Sequence, residues 1–289
     1  MFQRIRATLI FATVAALLVL THPATARASG CACFFVHVNS SYGYVSYLND
    51  TAPFPTNALL FTTVNGSGGV PVDTSAQGVW DNTAAGQWTI YNEDGSLIPL
   101  NAQFNVYAAL PYQSSWRADY THVTTTSNTG GDSTVLNVAV LNGNPNAVIK
   151  VSAAYTINNQ VYDTHQLGVW YSTIGQRWEI FHEDKSPMPV GAAYFVEAIN
   201  TSFAPYYGTV SADATNLQNG QVVLNNTLLN NHPNDPNIAI QITQDWGTNG
   251  VYNNHPIGVT YNTSTNMWAI YNVDGTPIPS GAMFFYDAR

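Results

Sequence analysis

The stretch Gly168-Val169-Trp170-Tyr171, followed by Trp178-Glu179-Ile180-Phe181-His182, decides the fold because its pattern occurs three times. The pattern begins again 90 residues upstream at Gly78 and 90 residues downstream at Gly258, with no gap between its blocks. Self-similarity at a fixed period is the signature of a repeat architecture. Two apolar blocks separated by a polar stretch predict a β-hairpin in each copy.

Each copy carries signals for further strands. Asp94-Gly95 and Asp274-Gly275 are strong turn signals directly after the hairpin. An apolar block closes each copy, as in residues 193–197, and others precede the hairpin, as in residues 57–61. About five to seven strands per copy predict an all-β fold of three tandem, small, antiparallel β-sandwich-like modules. The alternative is that the three copies form one pseudo-threefold β body.

The repeats also set the domain organisation. We predict modules at residues 34–109, 116–199 and 206–288, joined by short connections. Upstream, Arg4 and Arg6 precede an apolar run and small-residue cleavage sites, which is typical of a signal peptide at residues 1–28. We therefore expect a secreted, extracellular protein.

Two cysteines follow this segment. Cys31 and Cys33 are too close in sequence for an easy disulfide. Residues 28–31 faintly resemble the site at which a bacterial lipoprotein is acylated, so a lipid-anchored envelope protein is the alternative localisation. A strained local disulfide and pairing with another chain also stay open. Contact with a membrane is expected only if Cys31 is lipidated.

The composition excludes some classes of partner. Only 9% of the 289 residues are charged, and the net charge is −9. Cleavage after residue 28 would leave five basic against 17 acidic residues, a net charge of −12. Nucleic-acid binding needs basic surfaces that neutralise phosphates, so we expect no nucleic-acid partner. The same charge disfavours an anionic membrane surface, whereas a cationic partner or Ca²⁺ is compatible with it.

The motif Gly-Val-Trp-Tyr, Trp-x-Ile-Phe/Tyr-Asn-x-Asp, Pro-x-Gly-Ala-x-Phe resembles an uncharacterised repeat module, a domain of unknown function, of secreted bacterial proteins. The resemblance covers most of the chain after residue 28. The first copy departs from it, with Asp81 in place of a tyrosine and Leu100-Asn101 in place of Val-Gly. The resemblance implies export and module boundaries, and it implies no activity.

The polar residues of the repeats favour structural roles. Asp94, Asp184 and Asp274 recur at one turn, where an aspartate bonds its own backbone, although one Ca²⁺ ligand per module is the other interpretation. His165 and His255 are equivalent, but the first copy has Ser75 there. A zinc site needs three or four converging ligands, so we expect neither a metal nor a cofactor.

Hydrolase motifs are missing from the sequence. The pattern Gly-x-Ser-x-Gly does not occur. Glu179, Glu183 and Asp184 cluster in the second copy and could in principle form the pair of carboxyl groups of a glycosidase. We therefore expect a protein without enzymatic activity, and a secreted hydrolase with its site in the second module is a minor alternative.

Aromatic residues are the remaining candidates for ligand binding. Strand alternation places them opposite the Val and Ile side chains of the hairpins, on a face that either stacks on sugar rings or packs against the adjacent module. The candidate ligand-binding residues are Trp80, Trp170, Tyr91, Phe181 and Tyr271. We expect a multivalent binding or adhesion protein that recognises a carbohydrate or cell-surface ligand. The alternative is a structural component of the cell envelope or extracellular matrix.

Overall fold

The computed structural model describes residues 33–49, 54–200, 207–227, 229–230 and 238–288. The predicted signal peptide (residues 1–28) and Cys31 lie outside these residues. Regular structure in the described part is β-strand apart from one short 3-10 turn at Ser67–Gly69. None of the described helical segments is long and apolar enough to cross a membrane.

The strands follow the repeats along the chain. Repeat 1 contains β1 (Cys33–Val38), β2 (Val45–Tyr47), β3 (Leu59–Asn65), β4 (Gln77–Asn82), β5 (Gln87–Asn92) and β6 (Gln103–Ala109). Repeat 2 contains β7 (Tyr112–Gln113), β8 (Arg117–Val123), β9 (Thr129–Gly130), β10 (Ser133–Leu136), β11 (Ala147–Tyr155), β12 (Leu167–Ser172), β13 (Arg177–His182) and β14 (Ala193–Asn200). Repeat 3 contains β15 (Tyr207–Ser211), β16 (Leu217–Gln218), β17 (Gln221–Leu224), β18 (Ile240–Asp245), β19 (Ile257–Asn262), β20 (Met267–Asn272) and β21 (Met283–Ala288).

The strands form three seven-stranded sheets, and each sheet combines two repeats. Sheet 1 has the order β2-β5-β4-β11-β14-β8-β7, so the hairpin of repeat 1 joins strands of repeat 2. Sheet 2, β15-β21-β18-β12-β13-β10-β9, joins the hairpin of repeat 2 to repeat 3. Sheet 3, β1-β6-β3-β19-β20-β17-β16, joins the hairpin of repeat 3 back to repeat 1. The connectivity is therefore cyclic.

The joint between repeats is a parallel strand pair in every sheet. β4 pairs with β11, β12 with β18 and β19 with β3, whereas the other pairs in the sheets are antiparallel. At the first joint Gly78 is opposite Ala153 and Trp80 is opposite Tyr155. Because these pairs connect residues of different repeats, the sheets cross the predicted module bounds.

The hydrophobic cores, in contrast, follow the repeats. One cluster of buried side chains draws mainly on residues 48–109, the second on residues 118–198 and the third on residues 212–288. Val79 and Ile90 of the first hairpin are fully buried in the first of them. The strands of one repeat thus enclose a common core while they belong to two different sheets. The all-β class and the tandem sandwich-like modules are confirmed, and the modules are joined as in the pseudo-threefold alternative.

The three central strands β3, β11 and β18 meet through a ring of hydrogen bonds. The backbone N–H of Thr62 donates to Ser152 Oγ over 3.2 Å, and that of Val151 donates to Thr243 Oγ1 over 3.3 Å. The N–H of Ile242 closes the ring by donating to Thr63 Oγ1 over 3.2 Å. A hydroxyl on each strand thus satisfies a backbone donor of another strand, which stabilises the centre of the molecule.

A buried cluster of charges lies beside these central strands. Lys150 Nζ forms ion pairs with Glu197 and, at 2.5 Å, with Asp287. Arg117 forms ion pairs with Asp119 at 2.8 Å and with Glu197 at 3.1 Å. Three carboxyl groups therefore face two cations. Burial raises the pKa of Asp119 and of Asp287 to about 6, and the attraction of the two cations only partly offsets it.

Candidate functional site

The joints between repeats gather aromatic side chains because a glycine precedes the Val-Trp pair. A Cβ atom at Gly78 would lie 2.4 Å from the ring of Tyr91, and one at Gly168 would lie 2.6 Å from the ring of Phe181. Because glycine has no side chain, each ring can lie across the strand that contains the glycine. The next repeat then supplies aromatic residues from the other side of the joint.

The first cleft lies at the joint between repeats 1 and 2 and is built from Trp80, Tyr91, Tyr155 and Tyr162. Tyr155 and Tyr162 have ring centroids 5.2 Å apart, and Tyr162 meets Tyr91 edge-on at 5.8 Å. Trp80 meets Tyr155 edge-on at 6.2 Å. Tyr44, which is 64% exposed, extends the cleft, whose volume is about 500 Å³.

The second cleft lies at the corresponding joint between repeats 2 and 3 and is built from Trp170, Phe181, Trp246 and Tyr252. The centroids of Trp170 and Trp246 are 5.8 Å apart, and those of Phe181 and Tyr252 are also 5.8 Å apart. This cleft is smaller, about 110 Å³. Lys185 stands where repeats 1 and 3 have glycine, and its Nζ lies 4.2 Å from the Tyr252 centroid.

The third joint lacks most of the aromatic residues that build the first two clefts. Repeat 3 carries Thr260 where the other repeats carry tryptophan. Tyr271 packs against the core of repeat 1, and a Cβ atom at Gly66 would collide with its hydroxyl group. Burial raises the pKa of Tyr271 to about 12. Tyr271 therefore lies apart from the aromatic groups around the other four predicted residues.

A buried carboxyl group lies beneath each of the two clefts. Glu93 accepts hydrogen bonds from Tyr91 Oη over 2.7 Å and from the backbone N–H of Asp163 in repeat 2 over 2.8 Å. Glu183 accepts one from the backbone N–H of Asn253 in repeat 3 over 2.9 Å. Burial raises the pKa of both glutamates to about 7. Repeat 3 has Val273 at this position, so the two clefts share a feature that the third joint lacks.

The recurring turn aspartates bond their own backbone. Oδ1 of Asp94, Asp184 and Asp274 accepts the N–H of the residue two positions later, over 2.8 to 3.0 Å. The outer oxygen of Asp184 faces His165 Nδ1 at 2.7 Å, and that of Asp274 faces His255 Nδ1 at 2.7 Å. This geometry matches the turn role predicted for these residues.

A polar cluster in repeat 2 brings together Asp163, His165 and His182. His182 Nε2 lies 3.0 Å from Asp163 Oδ2, and His182 Nδ1 lies 2.9 Å from the carbonyl oxygen of Ser186. Both ring nitrogens thus face acceptors. Burial lowers the pKa of His182, but the hydrogen bond and the charge of Asp163 outweigh it, so the pKa lies above its ordinary value. His165 stacks on His182 with centroids 4.6 Å apart.

The structure joins most of the predicted aromatic residues to partners in the following repeat. In the hairpins Tyr91 is opposite Gly78 and Phe181 is opposite Gly168, so Trp80 and Trp170 lie diagonally across from these rings. Their other partners belong to the following repeat. Tyr162 and Tyr252 are equivalent, 90 residues apart, whereas Tyr155 and Trp246 have no aromatic counterpart in the other repeats. The pairing of β4 with β11, and of β12 with β18, brings them in.

The carboxyl groups proposed as a hydrolase pair have separate partners. Glu179 accepts a hydrogen bond from Ser133 Oγ over 2.5 Å at the outer side of the hairpin. Glu183 bonds the backbone of Asn253, and Asp184 bonds its own turn and His165. Each group is thus committed to a structural contact.

Comparison with known proteins identifies a family and no relative of known activity. The model of the Domain of unknown function (DUF7452) matches residues 78–198 and again residues 171–285. Each match runs from the hairpin of one repeat to the closing strand of the next, so it spans a joint. No curated protein and no solved structure matches the chain. Because the two matches cover most of the sequence, the chain belongs to the family of the Domain of unknown function (DUF7452).

Proposed function

We propose that the protein is a secreted, non-catalytic binding protein that recognises carbohydrate through the first and second clefts. The observation that carries the proposal is the recurrence of an aromatic cleft at two corresponding joints. Tyr91 and Phe181 are buried at the two clefts, whereas Tyr162 is 55% exposed and Tyr44 is 64% exposed. Exposed aromatic groups gathered in a concave site favour a ligand with its own apolar faces.

Carbohydrate fits the chemistry of the clefts. Sugar rings present C–H faces that pack on aromatic rings and hydroxyl groups that need polar partners. Tyrosine offers both an apolar ring and a hydroxyl group at low conformational cost. Asn92 and the carboxyl group of Asp94 also line the first cleft, so acceptors for sugar hydroxyl groups are at hand.

Two clefts on one chain support multivalent attachment. A second binding event on a polymeric ligand is intramolecular, so two weak sites add to the avidity if the polymer spans both. This arrangement suits adhesion to a surface polymer. The low charge of the chain, 9% charged residues, also suits contact with neutral polysaccharide.

Replacing tryptophan by threonine tests the proposal, because repeat 3 already carries Thr260 at this position. We expect Trp80→Thr and Trp170→Thr each to weaken binding to insoluble cellulose, chitin or peptidoglycan about tenfold at its cleft, since an aromatic contact is worth about 1.5 kcal/mol. The double variant should lose retention. The measurement is a depletion isotherm for each polymer together with a glycan-array screen.

Tyr112→Ala is the matched control, because Tyr112 is an exposed aromatic residue on β7, outside both clefts. It should bind as the unchanged protein does. Equal retention of the double variant and the unchanged protein would rule out the clefts as carbohydrate sites. Concentration-dependent self-assembly without polymer binding would instead favour the structural role in an envelope or matrix.

A further inference from the structure

We propose that repeat 2 holds a divalent transition-metal ion between Asp163, His165 and His182. One ligand atom of each residue lies within 4.8 Å of the other two. Ligand atoms around tetrahedral zinc are about 3.4 Å apart, as bonds of about 2.0–2.1 Å require. The contact of His182 Nε2 with Asp163 Oδ2 is 3.0 Å, so small side-chain rotations complete the site.

The outer contacts of both histidines match those of metal-bound imidazole. A ligating histidine commonly donates its second N–H to a carboxylate or to a backbone carbonyl. Asp184 Oδ2 lies 2.7 Å from His165 Nδ1, and the Ser186 carbonyl lies 2.9 Å from His182 Nδ1. With an ion bound, these contacts keep the proton on Nδ1 of each ring and leave the Nε2 lone pair for the ion.

The ligand set selects the class of ion. Two imidazoles and one carboxylate suit Zn²⁺, Co²⁺, Ni²⁺ or Cu²⁺. Ca²⁺ instead requires about six to eight oxygen ligands. The carboxyl group of Asp184 contacts His165 and adds negative charge beside the cation.

The site has a route to solvent. Asp163 and His165 line a cavity of about 90 Å³ beside the ring of hydrogen bonds between the central strands. The side chain of His165 is 33% exposed. An ion can therefore enter from the cavity and keep a water molecule or a small anion as its fourth ligand. On entry the ion replaces the proton that His182 Nε2 shares with Asp163.

The other repeats lack the ligand set, and they therefore provide matched comparisons. The corresponding residues are Asp73, Ser75 and Asn92 in repeat 1 and Asn253, His255 and Asn272 in repeat 3. Each set keeps one side chain that commonly binds metal ions, Asp73 in repeat 1 and His255 in repeat 3. Asn92 and Asn272 make the same structural contacts as His182, with the residue at 73 or 253. His182→Asn and His165→Ser thus introduce side chains that the fold already accepts at equivalent positions.

Calorimetric titration of the tag-free mature chain with ZnCl₂, after treatment with chelator, tests the site. We expect one ion per chain. Loss of an outer contact weakens metal binding about 10–100-fold. Because His182→Asn and His165→Ser each remove a ligand itself, each should weaken Zn²⁺ binding by more than this. Co²⁺ should give the visible d–d absorption of a tetrahedral site, and this absorption should disappear in both variants.

His255→Ser is the control, because His255 has the same aspartate contact in repeat 3 without the other ligands. It should leave both the stoichiometry and the Co²⁺ spectrum unchanged. Absence of Zn²⁺ binding to the unchanged chain, or equal binding by His182→Asn, would overturn the proposal. Neither outcome bears on the aromatic clefts, because polymer binding is measured separately.

Discussion

Replacing Lys150 with methionine should lower the free energy of unfolding by about 3–5 kcal/mol, because it leaves two buried carboxylates without their ammonium partner. Lys150 is 2% exposed, and its Nζ lies 3.9 Å from the centroid of Tyr107 as well as in contact with Glu197 and Asp287. Methionine keeps most of the volume and removes the charge together with its hydrogen-bond donors. Urea denaturation measures the change in the free energy of unfolding, with the same dependence on urea concentration fitted for both proteins.

The double variant Lys150→Met, Asp287→Asn separates the charge from the packing. It removes one of the carboxylates that the single variant leaves behind, so we expect it to regain part of the lost stability. Lys185→Met, on an exposed turn, removes only the contact with the Tyr252 ring and should change stability by no more than about 1 kcal/mol. A loss below about 1 kcal/mol for Lys150→Met would show that the cluster contributes little beyond its packing.

The protein without added metal should become less stable as the pH rises from about 5 to 8. Burial is the main cause of raised carboxyl pKa values at six positions: about 6 at Asp73, Asp119, Asp245 and Asp287, and about 7 at Glu93 and Glu183. A carboxyl with a raised pKa binds more protons in the folded than in the unfolded state. Its contribution to stability is therefore present at low pH and is lost as the pH rises through the folded pKa.

The expected loss is at least about 3 kcal/mol, which corresponds to two pKa units on one carboxyl. His122 acts in the opposite direction, because burial lowers its pKa to about 4, so its contribution is lost as the pH falls. Denaturation at several pH values and constant ionic strength gives the profile, and Glu183→Gln should flatten it between pH 5 and 7. A stability that is constant or increases from pH 6 to 8 would contradict the assignment of these groups.

The sequence alone predicts the hairpins well because their signals are local. Val79, Ile90, Val169 and Ile180 alternate with aromatic residues, and the structure places all four in the cores. The joints are different. Pairing of Gly78 with Ala153 links residues 75 positions apart through a parallel strand pair, and no turn signal or alternation indicates which strand a hairpin edge will meet.

The residues of the candidate sites are likewise predictable within one repeat and unpredictable across a joint. Trp80 and Tyr91 are predictable as neighbours on one hairpin, but Tyr155 and Tyr162 reach them only across the joint. Tyr271 shares the motif, but the third joint has Val72 and Thr260 where the other two joints have a tyrosine and a tryptophan.

The three proposed metal ligands are not recognisable as a group in the sequence, for a comparable reason. Asp163 and His165 lie on a loop and His182 ends a strand, so no short motif contains all three. The sequence signal for the metal site is the spacing Asp163-x-His165, followed by a strand that ends in histidine.

Small-angle X-ray scattering of the chain from residue 29 onward tests most directly whether the three repeats close through shared sheets, on which both clefts depend. We predict a radius of gyration of about 18 Å, the value for one compact body of this length. A radius above about 24 Å, which three separate bodies in a row would give, would contradict the cyclic arrangement.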